Sequence, residues 1–159
     1  MKRGFTLIEV IMYMALYSIL IGGVIVALFT LFESQTRNQS IALLQQEGDF
    51  VASRIAYEIR SAHSVISPIT SGGTLDLVRS QGTHTRVYLI NQNVILEINS
   101  VAAILNSDAV AIQNLQFTHT IVSNPDESYD VIEGQFIGMA TTSDGHMLSR
   151  TFRLHSLMQ

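Results

Sequence analysis

The stretch that decides the fold is Met1–Phe32, MKRGFTLIEVIMYMALYSILIGGVIVALFTLF. Lys2, Arg3 and Gly4 precede 28 positions, Phe5 to Phe32, whose only charge is Glu9. At helical rise such a run is ~42 Å long, against ~30 Å for a bilayer hydrocarbon core. It can therefore span a membrane with tilt or overhang. The basic pair lies on the short N-terminal flank, and the positive-inside tendency leaves that end in the cytoplasm. The rest of the chain then lies on the far side.

Three readings compete for this stretch. A cleaved secretory signal has an apolar region of ~7–15 residues ending in an A-x-A-like site. Here the run is about twice that length, and no such site precedes the polar segment that begins at Glu33. A plain single-span anchor explains the length and the flanks, but it gives no reason for an acid at Glu9. A carboxylate inside a membrane segment costs ~2.5–3.5 kcal/mol at mid-bilayer, less near an end, and usually marks function or a partner.

The third reading uses every odd residue. Lys2-Arg3-Gly4-Phe5-Thr6-Leu7-Ile8-Glu9-Val10 resembles the class III leader and N-terminus of type IV pilins and pseudopilins. The resemblance implies that a membrane-embedded prepilin peptidase cuts after Gly4 and methylates the new amine on Phe5. It makes Glu9 the acid in the fifth mature position, which docks on the Phe5 amine of a neighbouring subunit. The chemistry agrees with that assignment. Glycine has no side chain, so extended backbone there can approach a protease closely. Cleavage creates a cation at Phe5, and an acid that is costly alone in lipid is neutralised once docked.

Working outward, Gly22-Gly23 is the oddest pair in the apolar run, since glycine costs ~1 kcal/mol relative to alanine in a helix interior. Two roles fit it: a point where the helix melts or bends during assembly, as the resemblance implies, or close helix packing through small residues. Pilins often carry a proline nearby, where this chain has Val26. Any melting would then depend on the glycines. Beyond Phe32 nothing breaks the helix. Ile41, Leu44, Gly48, Val51, Ile55, Ile59 and Ala62 recur in steps of three and four, the mark of an amphipathic helix. One helix is expected from about Thr6 to about Ser61, with Glu33–Arg37 and Arg54–Glu58 as exposed pairs at helical spacing.

Ser67-Pro68 and Ser71-Gly72-Gly73 end the helical part, and short β-type runs follow. Leu75, Leu77 and Arg86–Ile90 lead to an Asn91-Gln92-Asn93 turn and a return strand, Val94–Ile98. Ala109–Ile112 and Leu115–Ile121 read as one bulged strand or two short ones. Val131–Thr142 and His146–Leu157, joined by Ser143-Asp144-Gly145, form the clearest hairpin. Leu105–Phe117, and the helix end running from Arg54 into a strand near Ile66, are similar to larger minor pilins and J-type minor pseudopilins. The expected fold is α+β and pilin-like, a long helix packed on an antiparallel sheet. Its divisions are a leader at 1–4, a membrane and filament-core segment at 5–32, an amphipathic half at 33–62 and a β-rich head at 63–159.

At 159 residues the chain suits one small domain plus an anchor. Its mean hydropathy of +0.30 owes much to the first 32 residues. Without cysteine, no disulfide or thiol chemistry is available. The formal charge is −4, and loss of Lys2 and Arg3 would leave 7 basic against 13 acidic side chains and no lysine. That balance argues against broad nucleic-acid binding, which depends on basic surface. The five histidines show no metal-ligand spacing, and no nucleophile elbow, phosphate-cradling loop or HExxH is present. Asp126, Glu127 and Asp130 crowd one loop and form a weak calcium candidate without the EF-hand pattern. No cofactor is expected.

The function implied by the resemblance is structural and not enzymatic. The subunit is stored as a prepilin in the bacterial inner membrane, processed, and extracted into a type IV pilus or type II secretion pseudopilus. Its partners would be the prepilin peptidase, other pilin or pseudopilin subunits, membrane lipid, and an inner-membrane assembly platform with its ATPase. The J-type likeness points to a minor subunit. The alternative from another class is a single-span membrane-anchored binding domain that never polymerises.

Overall fold

The computed structural model describes residues 6–79, 82–123, 128–142 and 145–158. It has two compact units, Met1–Gln39 and Ser40–Gln159. One helix, α1 (Leu7–Arg60), contributes to both, so the expected continuous helix is observed to within a residue at each end.

In the first unit the helix stands bare. Large apolar side chains are exposed all along it, Leu7 at 82% and Ile19 at 77% among them, and none of its most apolar window is buried within the chain. Helix is the one open conformation that satisfies its own backbone in lipid. The hydroxyls follow the same rule. Ser18 donates to the Met14 carbonyl at 2.8 Å and Thr30 to the Ala27 carbonyl at 2.8 Å. Each donor is thus hidden in the helix's own backbone.

Among its described residues, the second unit combines α1 residues 40–60 with nine strands. These are β1 (Ala62–Ser67), β2 (Ser71–Gly72), β3 (Leu75–Arg79), β4 (His84–Ile90), β5 (Asn93–Ile98), β6 (Val101–Ile104), β7 (Val110–Ser123), β8 (Ser128–Thr141) and β9 (Met147–Met158). They form two antiparallel sheets, ordered β1-β3-β4-β5-β6 and β2-β7-β8-β9. The α+β class is as expected, but one sheet has become two. Alternation shows which face of a strand is buried and does not show which strands share a ladder.

The packed face of the helix is Leu44, Gly48, Val51, Ile55 and Ile59, as its spacing predicts. It meets Leu75, Leu77, Val87 and Val94 of one sheet and Ile112, Phe117, Ile132 and Phe136 of the other, in a single core. Phe152 of β9 stacks on Phe136 of β8, with ring centroids 5.2 Å apart and planes at 19°. Phe152 can lie there because Gly48 leaves its place on the helix empty. A Cβ at Gly48 would collide with the Phe152 ring, and one at Gly138 would sit 3.0 Å from both that ring and Leu44.

Two corrections concern the helix end and a strand. Arg54–Glu58 was expected to be an exposed pair, yet Glu58 is fully buried between Ile55 and Ile59. Arg79, arriving from β3, supplies a second cation that makes this burial tolerable. The strand β6 has no counterpart in the sequence reading. Its turn, Asn99-Ser100, has φ of 47° and 68° with no glycine to announce it. The Asn91-Gln92 turn has the same two-residue left-handed form (φ 47° and 69°), which makes Asn93 the first residue of β5. The choice left open for 109–121 resolves to one strand. It is irregular between Gln113 and Gln116, with Asn114 at φ 53°.

Candidate functional site

The site begins where α1 begins. Thr6 precedes the first helical residue, and its carbonyl accepts from the Glu9 N–H at 3.1 Å and the Val10 N–H at 3.3 Å. Thr6-Leu7-Ile8-Glu9 therefore has the spacing of a capping box, a hydroxyl residue at the helix cap and an acid three positions on. An acid in the first turn also faces the positive end of the helix dipole, worth ~0.3–1 kcal/mol at an exposed site. Glu9 is exposed, beside Leu7 and Ile8. In lipid that local support is smaller than the ~2.5–3.5 kcal/mol penalty of a mid-bilayer carboxylate. Support from the helix dipole alone does not balance a carboxylate in lipid. Gly4 and Phe5, the expected cleavage and methylation positions, lie outside the described residues.

Gly22 and Gly23 sit inside continuous helix, and a Cβ at either would meet nothing within 4 Å. Among the described residues, no packing within the chain requires glycine there. The structure shows the pair helical, and the melting role remains a matter for assembly.

The calcium candidate is only partly visible. Asp126 and Glu127 lie outside the described residues. The Asp130 carboxylate is 3.0 Å from the His119 ring nitrogen Nε2 across β7 and β8, so one oxygen already has a protein partner. Among the described residues no group of three or more acidic, histidine or cysteine side chains is placed to hold a metal ion.

The polar cluster that the sequence did not reveal is at the far end of α1. Arg54 Nη2 is 2.8 Å from Glu58 Oε1, and Arg79 Nη2 is 3.4 Å from Glu58 Oε2. Neither contact has the alignment of a hydrogen bond, so both are ion pairs held by charge. Arg79 also donates to Ser61 Oγ at 2.6 Å, and both guanidinium groups lie within 6 Å of the Tyr57 ring centroid. The cluster ties the helix end to β3. It was missed because Arg54–Glu58 reads as a surface pair until Arg79, a strand away, is placed beside it.

A second cross-strand set lies on the five-stranded sheet. Arg86 donates to Asp76 at 3.0 Å, and that hydrogen bond and charge raise the arginine pKa further above its usual value. Tyr88 donates to Glu97 Oε2 at 3.0 Å. That bond, with partial desolvation, raises the phenol above its ordinary range. Asp76 and Arg86 are directly opposite in the β3–β4 ladder, where opposite charges stabilise a sheet, and Tyr88 reaches Glu97 diagonally across β4 and β5.

Residues 1–25 match the family model described as the prokaryotic N-terminal methylation motif. The match covers the basic leader, Gly4, Phe5, Glu9 and most of the apolar helix, and it supports a class III prepilin leader of the type IV pilin and pseudopilin kind. Such a motif implies processing by a peptidase and assembly with other pilin subunits. The apolar helix and the motif together fit a pilin anchored in the inner membrane. The chain matches no curated protein and no solved structure.

Proposed function

We propose that the chain is a prepilin-type filament subunit, cleaved after Gly4, N-methylated on Phe5 and assembled as a minor pilin or pseudopilin. The observation that carries this is Glu9, the lone acid on a bare apolar helix, at its fixed place in the methylation motif. In the membrane form Lys2 and Arg3 keep the N-terminus in the cytoplasm and residues 5–32 span the bilayer. In the filament Glu9 pairs with the Phe5 amine of a neighbour, and the buried pair offsets a charge that is costly alone. Gly22-Gly23 gives the helix a place to loosen as it leaves the lipid. An assembly platform with its ATPase drives extraction, as the likeness to pilins implies. The filament is a type IV pilus or a type II secretion pseudopilus, with the head of residues 63–159 outside the membrane.

Glu9→Ala tests the docking role. The variant is expected to be processed at Gly4 like wild type and to stay in the membrane fraction when filaments are sheared from cells. Wild-type incorporation would remove the docking role, whereas a wild-type chain left uncut at Gly4 and missing from sheared filaments would favour a single-span anchored domain that does not polymerise.

A further inference from the structure

Among the described residues, β6 ends the five-stranded sheet and pairs only with β5. All four of its residues, Val101-Ala102-Ala103-Ile104, are exposed, Val101 at 72% and Ile104 at 59%. The two-residue turn before it makes Ile98 and Val101 a hydrogen-bonded pair. Alternation makes Leu96 and Ala103 the next such pair, and the Leu105 N–H donating to the Val94 carbonyl at 2.9 Å keeps the same phase. Ala102 and Ile104 fall at the intervening positions, so their N–H and C=O groups point out of the sheet. The result is a row of two donors and two acceptors flanked by apolar side chains. Natural edges are usually blunted by lysine, proline, inward charges or a bulge. This one has none of them.

The size of the edge selects its occupant. Four residues fall far short of the roughly 20–30 per side of a self-standing interface. The edge therefore suits a partner already held alongside by another contact, for which tethering supplies a high effective concentration. A second copy fits poorly. Pairing β6 with β6 is isologous and closes on itself, whereas filament neighbours are related head to tail. Of the three other sheet-end strands among the described residues, β2 has only two residues, and β1 and β9 lie beside each other. We infer that β6 takes up, by strand addition, an extended apolar segment of a neighbouring filament subunit of a different kind. This rests on the prepilin-subunit reading above.

The chain has no cysteine, so Val101→Cys places a single thiol on this edge. Full-length protein in host membranes, treated with a short thiol-directed photo-cross-linker, is expected to give an adduct with another chain that itself starts at an N-methylated residue. Adding Ala102→Pro removes one outward N–H and leaves the β5 ladder intact. It should lower the adduct about fivefold or more, the loss expected of one hydrogen bond. Ile104→Lys, also exposed, should do the same by charging the edge, and it answers the case in which proline disturbs folding. A homodimeric adduct, an adduct indifferent to both substitutions, or no adduct from a chain already processed to Phe5 would overturn the proposal. A chain left uncut at Gly4 would remove the prepilin reading itself, which separates that failure from a failure of β6 alone.

Discussion

A Cβ placed on Gly48 of α1 would occupy the same space as the ring of Phe152 on β9. The contact seats the four-stranded sheet on the helix, because the ring fills the groove that a side chain would otherwise block. Gly48→Ala is therefore expected to destabilise the head by at least ~1–3 kcal/mol, the usual range for overpacking a dense core. Denaturant unfolding of the detergent-solubilised chain, followed by head proteolysis, measures it. Phe152→Leu combined with Gly48→Ala should recover part of the loss.

Glu58 is buried while its partners keep water within reach: the Arg54 side chain is 38% exposed and that of Arg79 is 23%. Removing one partner of a buried pair costs ~3–5 kcal/mol when the survivor stays buried. Here the arginines can turn to solvent, so Glu58→Ala should lose less, ~1–3 kcal/mol. Arg79→Ala should be worse than Arg54→Ala, since Glu58 cannot escape and Arg79 also caps the helix end through Ser61. Equal stability of all three variants would refute the clamp between α1 and β3.

The Tyr88–Glu97 pair predicts a pH effect with a defined sign. The folded state raises the phenol pKa above its ordinary ~10, so folding favours the protonated form. The associated stability is fully present below pH ~10 and is lost as pH rises through the higher folded-state value. Spectrophotometric titration should show one late tyrosine that moves toward ~10 in Glu97→Gln. An unchanged titration curve would break the assignment to Glu97.

Much of this was legible in the sequence, for identifiable reasons. The helix declared itself through the unbroken apolar run to Phe32 and the three-four spacing from Ile41 to Ala62, and the β8–β9 hairpin through Ser143-Asp144-Gly145. What stayed hidden depended on partners distant in the chain. Glu58 looked like a surface acid until Arg79 was beside it. The strand β6 was hidden because Asn99 and Ser100 adopt left-handed φ values that glycine usually signals. At the N-terminus the methylation motif was readable from Gly4, Phe5 and Glu9, because it is local in the sequence and needs no tertiary context.

The most direct measurement is the N-terminal mass of the protein purified from the membranes of its own host. The account predicts a chain that starts at N-methylated Phe5, with Met1–Gly4 gone. A chain that retains Met1–Gly4 while the peptidase is active on other substrates would contradict it and leave a plain membrane-anchored β-rich domain.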